Sequence, residues 1–166
     1  MNQVVYANGK LWAGLNTTVG TQTSIAWFVV RPSGGGSSFS AAIANQGFLT
    51  AKNTGVFYPS IGVNGSGAAV MAFDLSGPGN HPSVGYVTVS ATRSAGPIHI
   101  AAAGVNPEDG FTCYSQLGFG PTCRWGDYSA AVGTPTGTIW FAGEYIPNLP
   151  RDHFVNWGTF IGSVTP

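Results

Sequence analysis

Charge is what this chain has least of. Six Lys and Arg stand against six Asp and Glu in 166 residues, 7% of the whole and a net charge of zero. Soluble domains usually carry about a quarter. No basic stripe exists, so nucleic acid has no electrostatic footprint here. The carboxylates are Asp74, Glu108, Asp109, Asp127, Glu144 and Asp152, and any acid–base chemistry must draw on them. Cysteine is rarer still, with Cys113 and Cys123 alone. Two cysteines without a nearby histidine do not make a structural zinc site. No apolar run approaches the roughly 20 residues of a membrane helix. No long stretch shows a 3.6-residue apolar period with caps, which argues against a helical fold. The G-x-S-x-G elbow is absent, which disfavours an α/β-hydrolase. The glycine-rich SGGGSS at residues 33–38 lacks the Lys-Ser/Thr ending of a phosphate loop and reads as a flexible connection. Neither a metal nor a cofactor is expected from these patterns.

What remains is strands and turns. Hydrophobic residues make up 43%, with 25 Gly and 11 Pro, enough for one domain with a sizeable core. The strands fall into three similar units. An apolar dyad after a Gly-containing turn anchors each: Leu11-Trp12 in GKLWAG, Val70-Met71 in GAAVMAF and Ile139-Trp140 in GTIWFAG. Trp12 and Met71 stand 59 positions apart, as do Trp27 and Tyr86, and Met71 and Trp140 stand 69 apart. Repeated β-rich units of this size predict β-propeller blades. The expected strands lie near 3–7, 10–15, 24–31 and 41–50, then 58–63, 68–75, 84–91 and 97–103, then 127–133, 138–146 and 157–164. The fold class is therefore all-β, one segment over 1–166 with blade units at about 3–50, 56–104 and 124–166. Propellers close with roughly four to eight blades, so three blades are half of a six-bladed ring. Two copies are expected to complete it as a homodimer. The third unit has no fourth strand, and residues 3–7 of a partner are candidates to supply one.

The strings YPSIGVNGSGAAVMAF, RWGDYSAAV, TIWFAGEYI and NWGTFIGSV together resemble the C-terminal part of bacterial exported β-propellers of the sialidase-like superfamily. The resemblance covers almost the whole chain. It implies a propeller fold, a bacterial exported parent protein and a carbohydrate-active function, with glycoside hydrolysis as the leading reading. The S-x-D-x-G-x-T-W Asp box is absent. Arg31, Arg93, Arg124 and Arg151 do not share a blade position, so no arginine triad maps. The start, MNQVVYANGK, has neither the basic head nor the apolar stretch of a leader. Low charge and a Ser/Thr/Asn-rich surface fit an exported protein, so a disulfide between Cys113 and Cys123 across the Gly-Pro-rich loop is expected, with two reduced thiols as the alternative.

A glycosidase usually needs two carboxyl groups, one as general acid and one as base or nucleophile. Asp127 and Glu144 sit in neighbouring strands of the third unit and are the candidate pair, with Arg124 beside Asp127. The alternative is a structural Arg124–Asp127 pair and a polar strand end at Glu144, with Asp74 in the related place of unit two. Trp125, Tyr128, Tyr58, Tyr145 and Phe119 are the candidate ligand-binding aromatics, because rings in loops make stacking platforms for sugars. These residues serve equally a non-catalytic carbohydrate- or surface-binding module, or a purely structural assembly unit. Glu108-Asp109 in NPEDG reads as a solvated turn, since its spacing matches no calcium loop. His81, His99 and His153 have no partner pattern.

Overall fold

The computed structural model describes residues 3–120, 122–148 and 155–166. Arg151, Asp152 and His153 lie outside the described residues. The chain is all-β, in three antiparallel sheets that follow the three sequence units. The first sheet is the meander β1 (Val4–Ala7), β2 (Lys10–Val19), β3 (Gln22–Ser33) and β4 (Ser40–Leu49). The second is β5 (Gly55–Val63), β6 (Ala69–Gly77), β7 (Asn80–Val89) and β8 (His99–Ala102). The third is β9 (Ala130–Gly133), β10 (Ile139–Tyr145) and β11 (Gly158–Val164). Asn8 (φ 52°) and Gly9 (φ 69°) both take the left-handed region, as a two-residue hairpin turn requires. β2 and β3 run further than their apolar cores, because β-branched Thr17, Thr18 and Thr23 continue the ladder to Val19↔Gln22. No described helix is long and apolar enough to cross a membrane.

The sheets stack face to face in chain order, with the second between the other two. Trp12, Ile25, Trp27, Val29 and Leu49 of the first sheet pack on Ile61, Met71, Phe73 and Val87 of the second. A smaller cluster joins Ala72 and Val84 to Ala131 and Phe141 of the third. β6 is buried at every position from Ala69 to Leu75, because both of its faces are covered. The register corrects the dyad alignment. Met71 touches the preceding sheet, its sulfur 3.4 Å from where a Cβ on Gly14 would sit. Trp12 and Trp140 point the other way. Val70 is their counterpart, since it lies opposite Gly62 in the ladder on the side that meets Ile139. The cause is a one-residue offset in the dyad. Trp12, Val70 and Trp140 each stand three positions after a turn glycine (Gly9, Gly67, Gly137), whereas Met71 stands four after Gly67, and a one-residue slip exchanges the faces of a strand.

Polar side chains tie the sheets together at the first strands. Gln3 donates to the Ala131 carbonyl at 3.0 Å and accepts from the Ser60 hydroxyl, so it touches all three units. Val4–Ala7 pair with β2. They belong to the first sheet, which corrects the expectation that they supply an outer strand to a third unit. Asn64 is the second tie. Its Oδ1 accepts from Ser66 N (3.1 Å), Ser66 Oγ (2.7 Å) and Ala68 N (3.0 Å). Its Nδ2 donates to the Gly137 carbonyl at 2.7 Å, and its own carbonyl accepts from Asn8 Nδ2 at 3.4 Å. The side chain is buried, so removing it strands donors and an acceptor away from water. Asn64→Ala is expected to cost about 2–4 kcal/mol, read as a lower urea midpoint with an unchanged slope.

Candidate functional site

β10 builds the site by alternation. Ile139, Phe141 and Gly143 face the second sheet, which turns Trp140, Ala142 and Glu144 outward. Asp74 stands at the equivalent place on β6, and it faces the third sheet. It is fully buried. Its Oδ1 accepts the Glu144 backbone N–H at 3.3 Å, and its Oδ2 accepts the Trp125 indole N–H at 3.2 Å. Asp74 thus fastens the loop that carries Arg124 to Asp127 against the strand that carries Glu144.

Gly126 makes this possible. Its φ is +45°, a region that favours glycine. A Cβ there would lie 3.1 Å from Glu144 Oε2 and 3.2 Å from Asp74 Oδ2. Both carboxyl groups therefore flank one residue without a side chain, and its backbone N–H hydrogen-bonds Glu144. Burial pushes the Asp74 carboxyl up to about 7, and the charge of Glu144 adds to the rise. Burial also raises Glu144, to about 6, with help from the Glu108 and Asp127 charges. Asp127 is more open. Its Oδ2 lies 3.2 Å from Arg124 Nη2, with the two side chains 54% and 70% exposed. A pair so exposed contributes little to stability.

Tyr58 lies below the loop. It sits in a β-bulge of β5 with φ +54°, a costly conformation for a bulky residue. Two neighbours hold it there. Asn16 Oδ1 accepts its N–H at 2.8 Å, and the Ser129 hydroxyl donates to its carbonyl. Burial and the nearby Asp127 and Asp74 charges raise its phenol.

Two adjoining cavities open above these groups. One, of about 260 Å³, is walled by Glu108, Phe111, Thr112, Arg124, Gly126, Asp127, Glu144 and Trp157. The other, of about 420 Å³, shares Gly126, Asp127, Glu144 and Trp157 and adds Tyr128, Ser129, Ala130, Ala142, Gly143 and Thr159. The expected residues Arg124, Asp127, Glu144 and Tyr128 thus meet at one cleft. Trp125 and Tyr58 support it from beneath. Tyr145 packs on Phe160 at 6.5 Å, on the opposite face of β10. Phe119 packs edge-on to Phe111 at 5.6 Å within the loop closed by the Cys113–Cys123 disulfide. Neither ring is part of the cleft walls. His99 stacks on Tyr86 at 4.9 Å, away from the cleft. Among the described residues no group of three or more His, Cys, Asp or Glu is set to hold a metal.

Sequence reasoning missed Trp157, Thr159 and the role of Asp74. The signal for the first two was strand pairing. Glu144 lies opposite Thr159, and Trp157 comes two residues earlier, on the same face by alternation. Chemically, the cleft offers one carboxyl with its proton held to near-neutral pH, a second carboxylate beside a guanidinium, and aromatic walls. No protein-family model, curated protein or solved structure matches the chain.

Proposed function

We propose that this chain is a carbohydrate-active hydrolase with Glu144 as general acid and Asp127 as base or nucleophile. One observation carries the reading: both carboxyl groups wall the same two cavities, and burial raises Glu144 to about 6. Glycoside cleavage uses two carboxyl groups whose environments separate their roles. Trp157 and Tyr128 supply faces on which a sugar ring can stack, and the Arg124 guanidinium pairs with Asp127 at 3.2 Å. The stack of three sheets is half of a six-bladed propeller, and the cleft lies where its third blade turns outward. The resemblance to exported sialidase-like propellers supports a secreted parent protein. The reading is tested with a panel of chromogenic glycosides against the wild type and Glu144→Gln. Cleavage by the wild type alone supports it, and cleavage of nothing on the panel counts against it.

A second reading, a non-catalytic carbohydrate-binding module, draws on Tyr128, which is 75% exposed at the cleft wall. It predicts saturable sugar binding that Glu144→Gln leaves intact, with no turnover.

A further inference from the structure

The two end sheets each turn an apolar face outward. On the third sheet it carries Val132, Trp140 and Ile161, which are 61%, 47% and 68% exposed. They line a cavity of about 520 Å³ that meets the carboxylate cleft through shared Ser129, Ala130 and Ala142. On the first sheet the ladder aligns Tyr6, Leu11, Val30 and Ile43 across all four strands, and Leu15, Ala26 and Phe48 beside them. By strand alternation that face holds no Lys, Arg, Asp or Glu, and Tyr6 and Phe48 are 67% and 65% exposed. Open apolar faces of this kind mark association surfaces.

The interfaces inside the chain show what fits such faces. Each is one apolar sheet face laid on the next, and each carries, among its polar ties, one at the same strand position. Asn16 on β2 accepts the Tyr58 N–H of the second sheet. Asp74 on β6 accepts the Trp125 indole of the third. Glu144 on β10 is next in the series, and it faces outward beside Ala142 and Trp140. The outward face of the third sheet therefore has the composition and polar marker of a face that receives another sheet. The first sheet has the matching apolar, uncharged face.

We propose that the outward face of the third sheet docks the outward face of the first sheet of a second copy of this chain. Two such contacts related by a twofold axis close a ring of six sheets, and the partner gives the carboxylate cleft its outer wall. The proposal rests on the propeller reading above. The whole association is isologous, and each contact repeats the sheet packing already present within the chain. Its two contacts bury more than about 2,000 Å² in total, the range of obligate dimers.

Sedimentation velocity at micromolar concentration tests this, with far-UV circular dichroism confirming that each variant is folded. The wild type is expected to sediment at twice the chain mass. Ile161→Glu and Phe48→Glu, each alone, are expected to give folded monomers. Mixed together they are expected to regain a dimer, because a mixed pair keeps one unmodified contact. Where either fails to fold, Trp140→Lys and Tyr6→Lys test the same two faces. A monomeric wild type overturns the proposal, and so do open chains longer than a dimer. A Phe48→Glu variant that stays dimeric overturns it too, since that result means third sheet on third sheet. The readout is mass, so it separates from the hydrolase reading: a dimer that cleaves no glycoside leaves the assembly standing and removes the enzyme.

Discussion

Glu144→Gln is expected to lower glycoside hydrolysis by about 10²–10⁴-fold, the usual contribution of a positioned general acid. The amide keeps the shape of the carboxyl and can still accept the Gly126 N–H, so the cleft keeps its form. It cannot give a proton to a leaving group. Stability should change little, and in the opposite sense. Glu144 titrates at about 6 in the fold, so above that pH the wild type holds a half-buried charge that the variant lacks. Kinetics on the best substrate from the glycoside panel, with a melting curve for each protein, separate the two effects. A loss in kcat with KM little changed is expected. Equal loss of activity and of melting temperature would mean that Glu144 serves the strand rather than the chemistry.

Asp74→Asn is expected to change sign with pH. The unfolded chain titrates Asp74 near its ordinary 3.8, and the folded chain at about 7. Between those values the folded protein binds more protons than the unfolded one. The Asp74 contribution to wild-type stability therefore falls as pH rises through that window and is flat on either side of it. A shift of this size corresponds to about 4 kcal/mol. The amide oxygen of Asn accepts one of two N–H donors, Trp125 Nε1 or Glu144 N. At about pH 5, where Asp74 carries its proton, the variant should be less stable by about 1–2 kcal/mol for the lost bond. At about pH 8 the wild type holds a buried charge, and the variant should be the more stable of the two. Urea unfolding at both pH values decides it. A variant equally destabilised at both would mean that the two N–H donors keep Asp74 ionised throughout.

Much of the fold was legible because strands announce themselves. The turns at Asn8-Gly9 and Asn64-Gly65, and the dyads after them, placed the hairpins to within a few residues. The disulfide was legible from two cysteines flanking a Gly-Pro-rich turn in a chain of low charge, and it closes a local loop worth about 2–3 kcal/mol. Facing was harder to read. Met71 aligned with Trp12 as the second member of its dyad yet points to the opposite side, because it stands four residues after its turn glycine where Trp12 stands three. The ladder shows that Val70 is the matching residue. Asp127 and Glu144 could be paired from the sequence because β9 and β10 are neighbours, although Asp127 lies in the loop before β9 (Ala130–Gly133) and not in a strand. Asp74 could not, because its partner Trp125 lies 51 positions away in the loop before β9. The strained backbone of Tyr58 left no trace in the sequence, since Pro59 after it favours an extended conformation rather than the left-handed one observed.

The pH dependence of kcat/KM on the best glycoside tests the central claim most directly. A general acid with the Glu144 value is protonated below about 6 and spent above it. Activity should therefore fall about tenfold per pH unit on the alkaline side of that value. Glu144→Gln should abolish the alkaline limb. A profile flat from pH 5 to pH 8, or an alkaline limb that survives in Glu144→Gln, would contradict the account.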